Sequence, residues 1–131
     1  MNLPAHLSVN ERNTLERAVR ELVEKFSTEV RFIALFGSKA RGDFGPHSDV
    51  DLLIITDSDD WRIRQQVRDP VYDADFEFDT FTSAWAIGWD RFQTLPLRRP
   101  GLFANLCRDA IELWRRPGTE NPLKLPEPAL T

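Results

Sequence analysis

Cysteine, histidine and long apolar segments are scarce in this chain of 131 residues. The single cysteine, Cys107, excludes an internal disulfide framework, which fits a protein kept in a reducing cytoplasm. No apolar run approaches the roughly 20 residues that a membrane-spanning helix needs. Residues 1–10 also lack the basic and apolar regions of a signal peptide. We therefore expect a cytoplasmic protein with no membrane association.

An excess of positive charge is also missing, because 17 Lys and Arg residues stand against 21 Asp and Glu residues. The formal net charge is −4 at pH 7, so direct binding to nucleic acid, which needs a basic surface, is not expected. A nucleotide is compatible with this charge, since metal ions and a few local cations can neutralise its phosphates. The length and the hydrophobic content of 41% are ordinary for one folded domain.

The most informative residues of the chain are 35–56, which read LFGSKARGDFGPHSDVDLLIIT. Gly37 and Ser38 enter a glycine-rich segment, and Asp49 and Asp51 follow it at the start of an apolar run. Two carboxylates at positions i and i+2 of a strand point to the same face, where they can bind one or two Mg²⁺ ions. A Gly-Ser turn with free backbone N–H groups can bind the phosphates that such ions bridge.

This pattern of Gly-Ser, ten residues and Asp-x-Asp resembles the signature of the nucleotidyltransferase superfamily related to DNA polymerase beta. Within that superfamily it is most similar to the minimal nucleotidyltransferases, and the resemblance covers residues 35–56. It implies a Mg²⁺-dependent enzyme that transfers AMP from ATP to an acceptor. Two Mg²⁺ ions, about 3.5–4 Å apart, would stabilise the attacking and leaving oxygens.

The residues of the motif have distinct predicted roles. Gly37 lets the backbone approach the phosphates, and Ser38 can donate its hydroxyl and its N–H to them. Lys39 and Arg41 are candidates for neutralising phosphate charge, although basic side chains in loops are often simply solvated. His47, in the loop before Asp49, is expected to fix that loop, and His6 carries no signal.

A third metal-binding carboxylate should come from a neighbouring strand. Residues 75–81 alternate polar and apolar side chains, which predicts a half-exposed strand with Asp75, Glu77 and Asp79 on one face. We favour Asp79 as the third metal ligand, with Glu77 close behind and Asp75 less favoured because it begins the strand. The general base would be Asp79 or the metal-bound hydroxyl itself. The alternative is that these acids are the solvated face of an edge strand.

The remaining patterns predict a small α/β (α+β) domain over residues 1–116, followed by a proline-rich extended tail at 117–131. A mixed, mostly antiparallel sheet of three to five strands would be covered on one face by helices 9–27 and 101–114. Further strands are expected at 30–36 and 50–56, and further helices at 38–42, 57–68 and 83–92. Gly88 would lie unusually inside the last of these helices, as a kink or a partner surface.

Stand-alone minimal nucleotidyltransferases include antitoxins that add AMP to a tyrosine of helical HEPN-type RNase toxins. The resemblance therefore implies a HEPN-type protein as partner and acceptor, since so short a chain has little room for an acceptor domain of its own. Two alternatives stay open: a module that binds a nucleotide or a toxin without turnover, and a transferase for small molecules of the antibiotic type. The sequence leaves open the choice between ATP and other nucleoside triphosphates, and also the oligomeric state.

Overall fold

A computed structural model describes residues 1–45 and 47–124, so residues 125–131 of the predicted proline-rich tail lie outside the described residues. The elements of the described chain are, in order, α1 (Val9–Phe26), β1 (Val30–Phe36), α2 (Ser38–Arg41), β2 (Val50–Thr56), α3 (Trp61–Phe78), β3 (Thr82–Gly88), α4 (Trp89–Phe92), α5 (Leu95–Arg98), α6 (Pro100–Asp109) and β4 (Ile111–Arg115). None of the described helices is long and apolar enough to cross a membrane.

The four strands form one mixed sheet in the order β3-β2-β1-β4. β1 runs antiparallel to both β2 and β4, whereas β2 and β3 are parallel. β2 is central and buried over most of its length, as its uninterrupted apolar sequence predicts. The predicted fold class is therefore confirmed, and a capping box of Ser8 and Glu11 begins α1.

Helices cover both faces of the sheet, so the expectation of a single covered face is wrong. α1 and α3 pack on one face through residues that include Leu15, Leu22, Val67 and Val71. The α4–α6 segment covers the other face through Phe92, Leu95, Phe103 and Leu106. The physical reason lies in the central strands, whose successive apolar side chains point to opposite faces and must be buried on both.

The predicted strand at 75–81 is wrong, because these residues belong to the end of α3 and the turn after it. The helix continues through Pro70, where a stop was predicted, and ends at Asp79 in the left-handed conformation with φ of 55°. Val67, Val71 and Ala74 are buried at helical spacing towards α1, whereas Phe76 is 92% exposed. Packing of this face outweighs the backbone hydrogen bond that Pro70 cannot donate.

Two helices predicted in the C-terminal third are shorter than expected, and strands replace part of each. Residues 82–88 form β3, so Gly88 ends a strand instead of interrupting a helix. α6 stops at Asp109, after which Ile111–Arg115 pairs with β1 as an edge strand. Short apolar runs fit either a helix or a buried strand. In both of these segments, hydrogen-bonded pairing with a central strand stabilises the strand.

Replacement of Gly88 by alanine is expected to destabilise the fold. The Gly88 N–H donates to Asp59 Oδ1 at 2.9 Å, and a Cβ on Gly88 would lie 2.6 Å from Asp59 Cα. Since Asp59 Cα belongs to the backbone, it cannot rotate away from the new methyl group. Gly88→Ala should therefore lower the free energy of unfolding by about 1–3 kcal/mol, seen as a lower melting temperature by circular dichroism.

Gly101→Ala is the matched control, because no atom lies within 4 Å of a Cβ built on this glycine of α6. Alanine favours a helix over glycine by up to about 1 kcal/mol, so this variant should be as stable as the original chain or more so. Equal melting temperatures for Gly88→Ala and Gly101→Ala would contradict the predicted steric clash between residue 88 and Asp59.

Candidate functional site

The Gly-Ser turn and the second aspartate of the motif lie against each other. β1 ends at Phe36, which pairs with Asp51 of β2, and Gly37 turns the chain with φ of 74° into α2. A Cβ on Gly37 would collide with Asp51 Oδ2 and lie 3.1 Å from Asp51 Cγ. This position therefore needs glycine twice over, for its backbone conformation and for the space beside the carboxylate.

Asp49, Asp51 and Arg41 form one electrostatic group. Asp51 is half-buried, and this burial, together with the charge of Asp49, raises the pKa of its carboxyl group, while Arg41 opposes the shift. Asp49 is exposed just before β2 begins. A half-buried carboxylate whose ionisation is opposed by burial and by a neighbouring carboxylate is a favourable place for a cation.

These hard oxygen donors fit Mg²⁺, which prefers carboxylates, phosphate oxygens and water as ligands. Asp49 and Asp51 would hold the metal, and the space left by Gly37 would admit phosphate oxygens beside Asp51. Among the residues that the structure describes, no three His, Cys, Asp or Glu side chains are already arranged to hold a metal ion. Phosphates, water or a shift of a nearby acid would have to complete the coordination.

The neighbouring strand does not place a carboxylate beside Asp51. In the parallel pairing of β2 with β3, the residue opposite Asp51 is Ser83. Asp79, favoured as the third ligand, lies in the turn before β3 and is exposed. It lines an open cavity of about 620 Å³ together with Asp49 and Lys39, and its role as the third metal ligand stays a prediction.

The two other acids of the 75–79 segment are engaged elsewhere. Glu77 accepts a hydrogen bond from Arg17 of α1 at 2.7 Å, and the structure does not bring it to the aspartate pair. Asp75 accepts from the hydroxyls of Thr80 and Thr82, both at 2.7 Å, and from the Thr82 N–H at 2.9 Å. Asp75 therefore fixes the turn that carries Asp79 to the cavity.

The two predicted phosphate-binding cations already have partners. Lys39 is buried, with its Nζ 2.9 Å from Glu11 Oε2 and 4.0 Å from the centre of the Phe44 ring. Arg41 is more exposed and donates its Nε to Asp43 at 3.1 Å. Since surface ion pairs are weak, Arg41 can exchange Asp43 for a phosphate at little cost, whereas Lys39 is held more firmly.

Ser8 and Glu11, at the start of α1, also line this cavity, and no motif in the sequence indicated this role. His6 donates its Nε2–H to the Lys39 carbonyl oxygen, and its ring packs on Phe44 with centroids 5.2 Å apart. Glu11 binds both the Ser8 N–H and Lys39; burial opposes ionisation, yet these hydrogen bonds hold the pKa of Glu11 below its usual value. The capping box was visible in the sequence, but no local pattern connects it to α2.

A comparison of Asp79→Asn with Glu77→Gln should identify the third carboxylate. Asparagine tolerates the left-handed conformation of residue 79, so the turn should remain intact. We expect Asp79→Asn to weaken Mn²⁺ binding by at least about tenfold, measured by electron paramagnetic resonance with a non-hydrolysable ATP analogue. Glu77→Gln, which removes one charge two residues earlier at the end of α3, should bind Mn²⁺ as the original chain does, and the reverse ranking would disprove the assignment.

Comparisons with known proteins agree with this geometry. Residues 15–89, more than half of the chain, match the sequence model of the nucleotidyltransferase domain family. Over 51 residues the chain is 41% identical to a Methanocaldococcus jannaschii protein provisionally named a protein adenylyltransferase. That match covers 39% of this chain and 51% of the relative, so the chain spans about half the length of that protein.

Two crystal structures of toxin–antitoxin complexes share the fold. One contains AMP-PNP and has a TM-score of 0.50 at 18% identity, over 76% of this chain and 73% of the neighbour. The other is a mutant MntA–HpeT complex with a TM-score of 0.51 at 16% identity, over 79% of this chain and 73% of the neighbour. At these identities the likeness concerns the fold alone.

Proposed function

Because this chain belongs to the nucleotidyltransferase domain family and is a nucleotidyltransferase, we propose that it transfers AMP from ATP to a protein partner. The contact of Gly37 with Asp51 supports the proposal most directly, since it joins a phosphate-binding turn to a metal-binding carboxylate. The provisional name of the M. jannaschii relative supports both AMP and a protein acceptor. The resemblance of the motif to antitoxins of HEPN-type toxins supports a helical protein of that kind as the partner.

In this proposal the residues around Gly37 bind and orient the triphosphate. The Ser38 hydroxyl and the backbone N–H groups at the start of α2 hold the β- and γ-phosphates, and Arg41 neutralises part of their charge. Asp49 and Asp51 hold Mg²⁺, which when bound stabilises charge on the α-phosphate and on the attacking and leaving oxygens.

The transfer forms one bond and breaks another at the α-phosphorus. An acceptor hydroxyl oxygen attacks in line, its bond to phosphorus forms, and the bond to the pyrophosphate oxygen breaks. The hydroxyl proton passes to Asp79, which faces the same cavity as Asp49, or to solvent. Asp79 is exposed and can release this proton to water after the transfer.

The rim of the cavity supports a protein acceptor. Phe81 lines the cavity and is 76% exposed, and the neighbouring Asp49 and Asp79 are also exposed. An exposed aromatic ring beside charged groups is suited to contact with a protein surface. A tyrosine of a helical partner could reach the aspartate pair over this ring without an acceptor domain in this chain.

Transfer of label from α-³²P-ATP tests the proposal. The protein is incubated with Mg²⁺ and the protein encoded by the adjacent gene, and an Asp49→Ala/Asp51→Ala variant serves as the control. Label on the partner, and a mass increase of one AMP on a partner tyrosine, are expected only with both aspartates intact. Bound nucleotide without transfer to this partner would replace the proposal with a non-catalytic binding module.

A further inference from the structure

Ser83 lies beside Asp51, at the position from which a neighbouring strand would supply a further ligand to a bound metal ion. β2 and β3 are parallel, and Asp51 pairs with Ser83 in their register. Neighbouring strands are about 4.8 Å apart, and paired residues direct their side chains to the same face of the sheet. One ligand could therefore contact both side chains.

The packing of the two strands shows which face this is. Leu53, two residues after Asp51, and Ile87, four residues after Ser83, are both buried under the α4–α6 segment. Since side chains alternate along a strand, Asp51 and Ser83 belong to the same face as these two residues. They lie at the end of the sheet where Gly37 turns the chain beside Asp51.

Two aromatic rings border this position on its core side. Phe36 pairs with Asp51 across β1 and β2, and Trp85 follows Ser83 by two residues on the same face. The two rings are partly buried against the core, with their centroids 6.0 Å apart in an edge-to-face contact. These rings offer no oxygen to a metal ion, so further ligands would have to arrive from the open end of the strands.

The Ser83 side chain is exposed and available to a ligand. In the described part of the chain, Asp75 accepts hydrogen bonds from Thr82 and Asp59 accepts one from Gly88, whereas no side-chain hydrogen bond involves Ser83. A hydroxyl is uncharged, so it attracts Mg²⁺ much less than a carboxylate would at the same position.

No acidic side chain is seen in this place next to Asp51. Asp79 shares its cavity with Asp49, and the lining of that cavity includes neither Asp51 nor Ser83. Within residues 1–45 and 47–124, no three His, Cys, Asp or Glu side chains are already arranged to hold a metal ion. Whichever acid assists Asp49, the neighbour of Asp51 on β3 is uncharged.

We propose that Ser83 occupies a ligand position of the metal site and, because it is uncharged, makes Mg²⁺ binding depend on the nucleotide. The free chain would bind the ion weakly, and the triphosphate would supply the negatively charged oxygens that position 83 lacks. Metal and nucleotide would then bind as one unit. This inference rests on the proposed function, since it concerns the same site.

Binding of Mn²⁺ to the nucleotide-free chain, measured by electron paramagnetic resonance, tests the inference. Ser83→Asp places a carboxylate beside Asp51 and should tighten Mn²⁺ binding at least about tenfold. Ser83→Glu, with a longer acidic side chain, serves the same purpose should Ser83→Asp not fold. Ser83→Asn, which matches aspartate in size without its charge, should bind Mn²⁺ as the original chain does. An original chain that binds Mn²⁺ without nucleotide as tightly as Ser83→Asp would overturn the inference.

Two further variants locate the effect. Asn105→Asp adds the same charge at an exposed position of α6 and should leave the Mn²⁺ affinity unchanged. Asp51→Asn/Ser83→Asp should lose the gain, because the added carboxylate would share its ion with Asp51. An equal gain in Asn105→Asp, or a gain that persists without Asp51, would overturn the role of Ser83.

A labelled, non-hydrolysable ATP analogue measures the coupling between metal and nucleotide. By fluorescence anisotropy, the original chain should bind this analogue at least about tenfold more tightly with Mg²⁺ than in EDTA. Equal affinities under the two conditions would contradict binding as one unit.

Neither binding measurement requires AMP transfer, so the inference and the proposed function can fail separately. Tighter Mn²⁺ binding by Ser83→Asp, in a protein that transfers no AMP, would support the inference and refute the proposed reaction. Transfer by the original chain, with no gain in Mn²⁺ binding by Ser83→Asp, would support the reaction and refute the inference.

Discussion

Gly37→Ala is expected to reduce AMP transfer at least about 100-fold while the chain remains folded. With φ of 74° and ψ of −159°, Gly37 lies in a backbone region essentially restricted to glycine, which costs alanine about 1–3 kcal/mol, and the new methyl group would collide with the Asp51 carboxylate. Either Asp51 or the turn must move, and a displacement of about 1 Å at a reacting centre costs about this much in rate. Single-turnover transfer from labelled ATP measures the loss.

Gly118→Ala separates backbone strain from the collision. Gly118 has φ of 83°, close to that of Gly37, but a Cβ built on it meets no atom within 4 Å. This variant should also lose stability, measured by urea unfolding, but keep its transfer rate. A Gly37→Ala enzyme as active as Gly118→Ala would mean that the Gly-Ser turn does not position phosphates against Asp51.

Asp51→Asn is expected to lower AMP transfer by at least about 1,000-fold and, without metal, to raise the melting temperature at neutral pH. The rate falls because a metal ion bound by Asp51 would stabilise the charge of the transition state by several kcal/mol. Each tenfold change in rate corresponds to about 1.4 kcal/mol. The stability gain follows because burial and the charge of Asp49 raise the pKa of Asp51 above its unfolded value.

The raised pKa of Asp51 sets the direction in which folding stability changes with pH. A carboxyl group with a raised folded pKa favours the folded state below its unfolded pKa, and this contribution is lost as the pH rises through the folded pKa. In EDTA, Asp51→Asn should therefore melt higher than the original chain at pH 7, with a difference that shrinks towards acid pH. With Mg²⁺ and nucleotide the order should reverse, since only the original chain gains from binding. A lower melting temperature for Asp51→Asn in EDTA at pH 7 would contradict the raised pKa.

The residues of the site that sequence could predict are those close together along one strand–turn–strand unit. Gly37 and Asp51 come into contact because β1 and β2 pair antiparallel, with Phe36 opposite Asp51. Strand pairing of neighbours in sequence is specified by apolar runs and turn residues, which are visible locally. Asp49 and Asp51 were therefore predictable as a pair.

The third carboxylate could not be placed because the segment that carries it has an ambiguous period. Alternation over residues 75–81 fits a strand, but only the burial of Val71 and Ala74 against α1 reveals that the helix continues. Contacts between distant residues, such as Lys39 with Glu11, leave no local pattern at all. The five arginines that line a second cavity along β3 are similar, since they are scattered over residues 64–99 of the sequence.

The two faces of the sheet become protected at different moments of synthesis. β1, β2 and β3 are complete at Gly88, and α1 and α3 are already available to cover their face. Phe32, Leu53 and Ile55 on the other face are covered by residues 89–109, which leave the ribosome later. At about 5–20 residues per second those residues take about 1–4 s to make. During that interval the nascent chain presents an apolar sheet surface, which exposes it to aggregation before synthesis is complete.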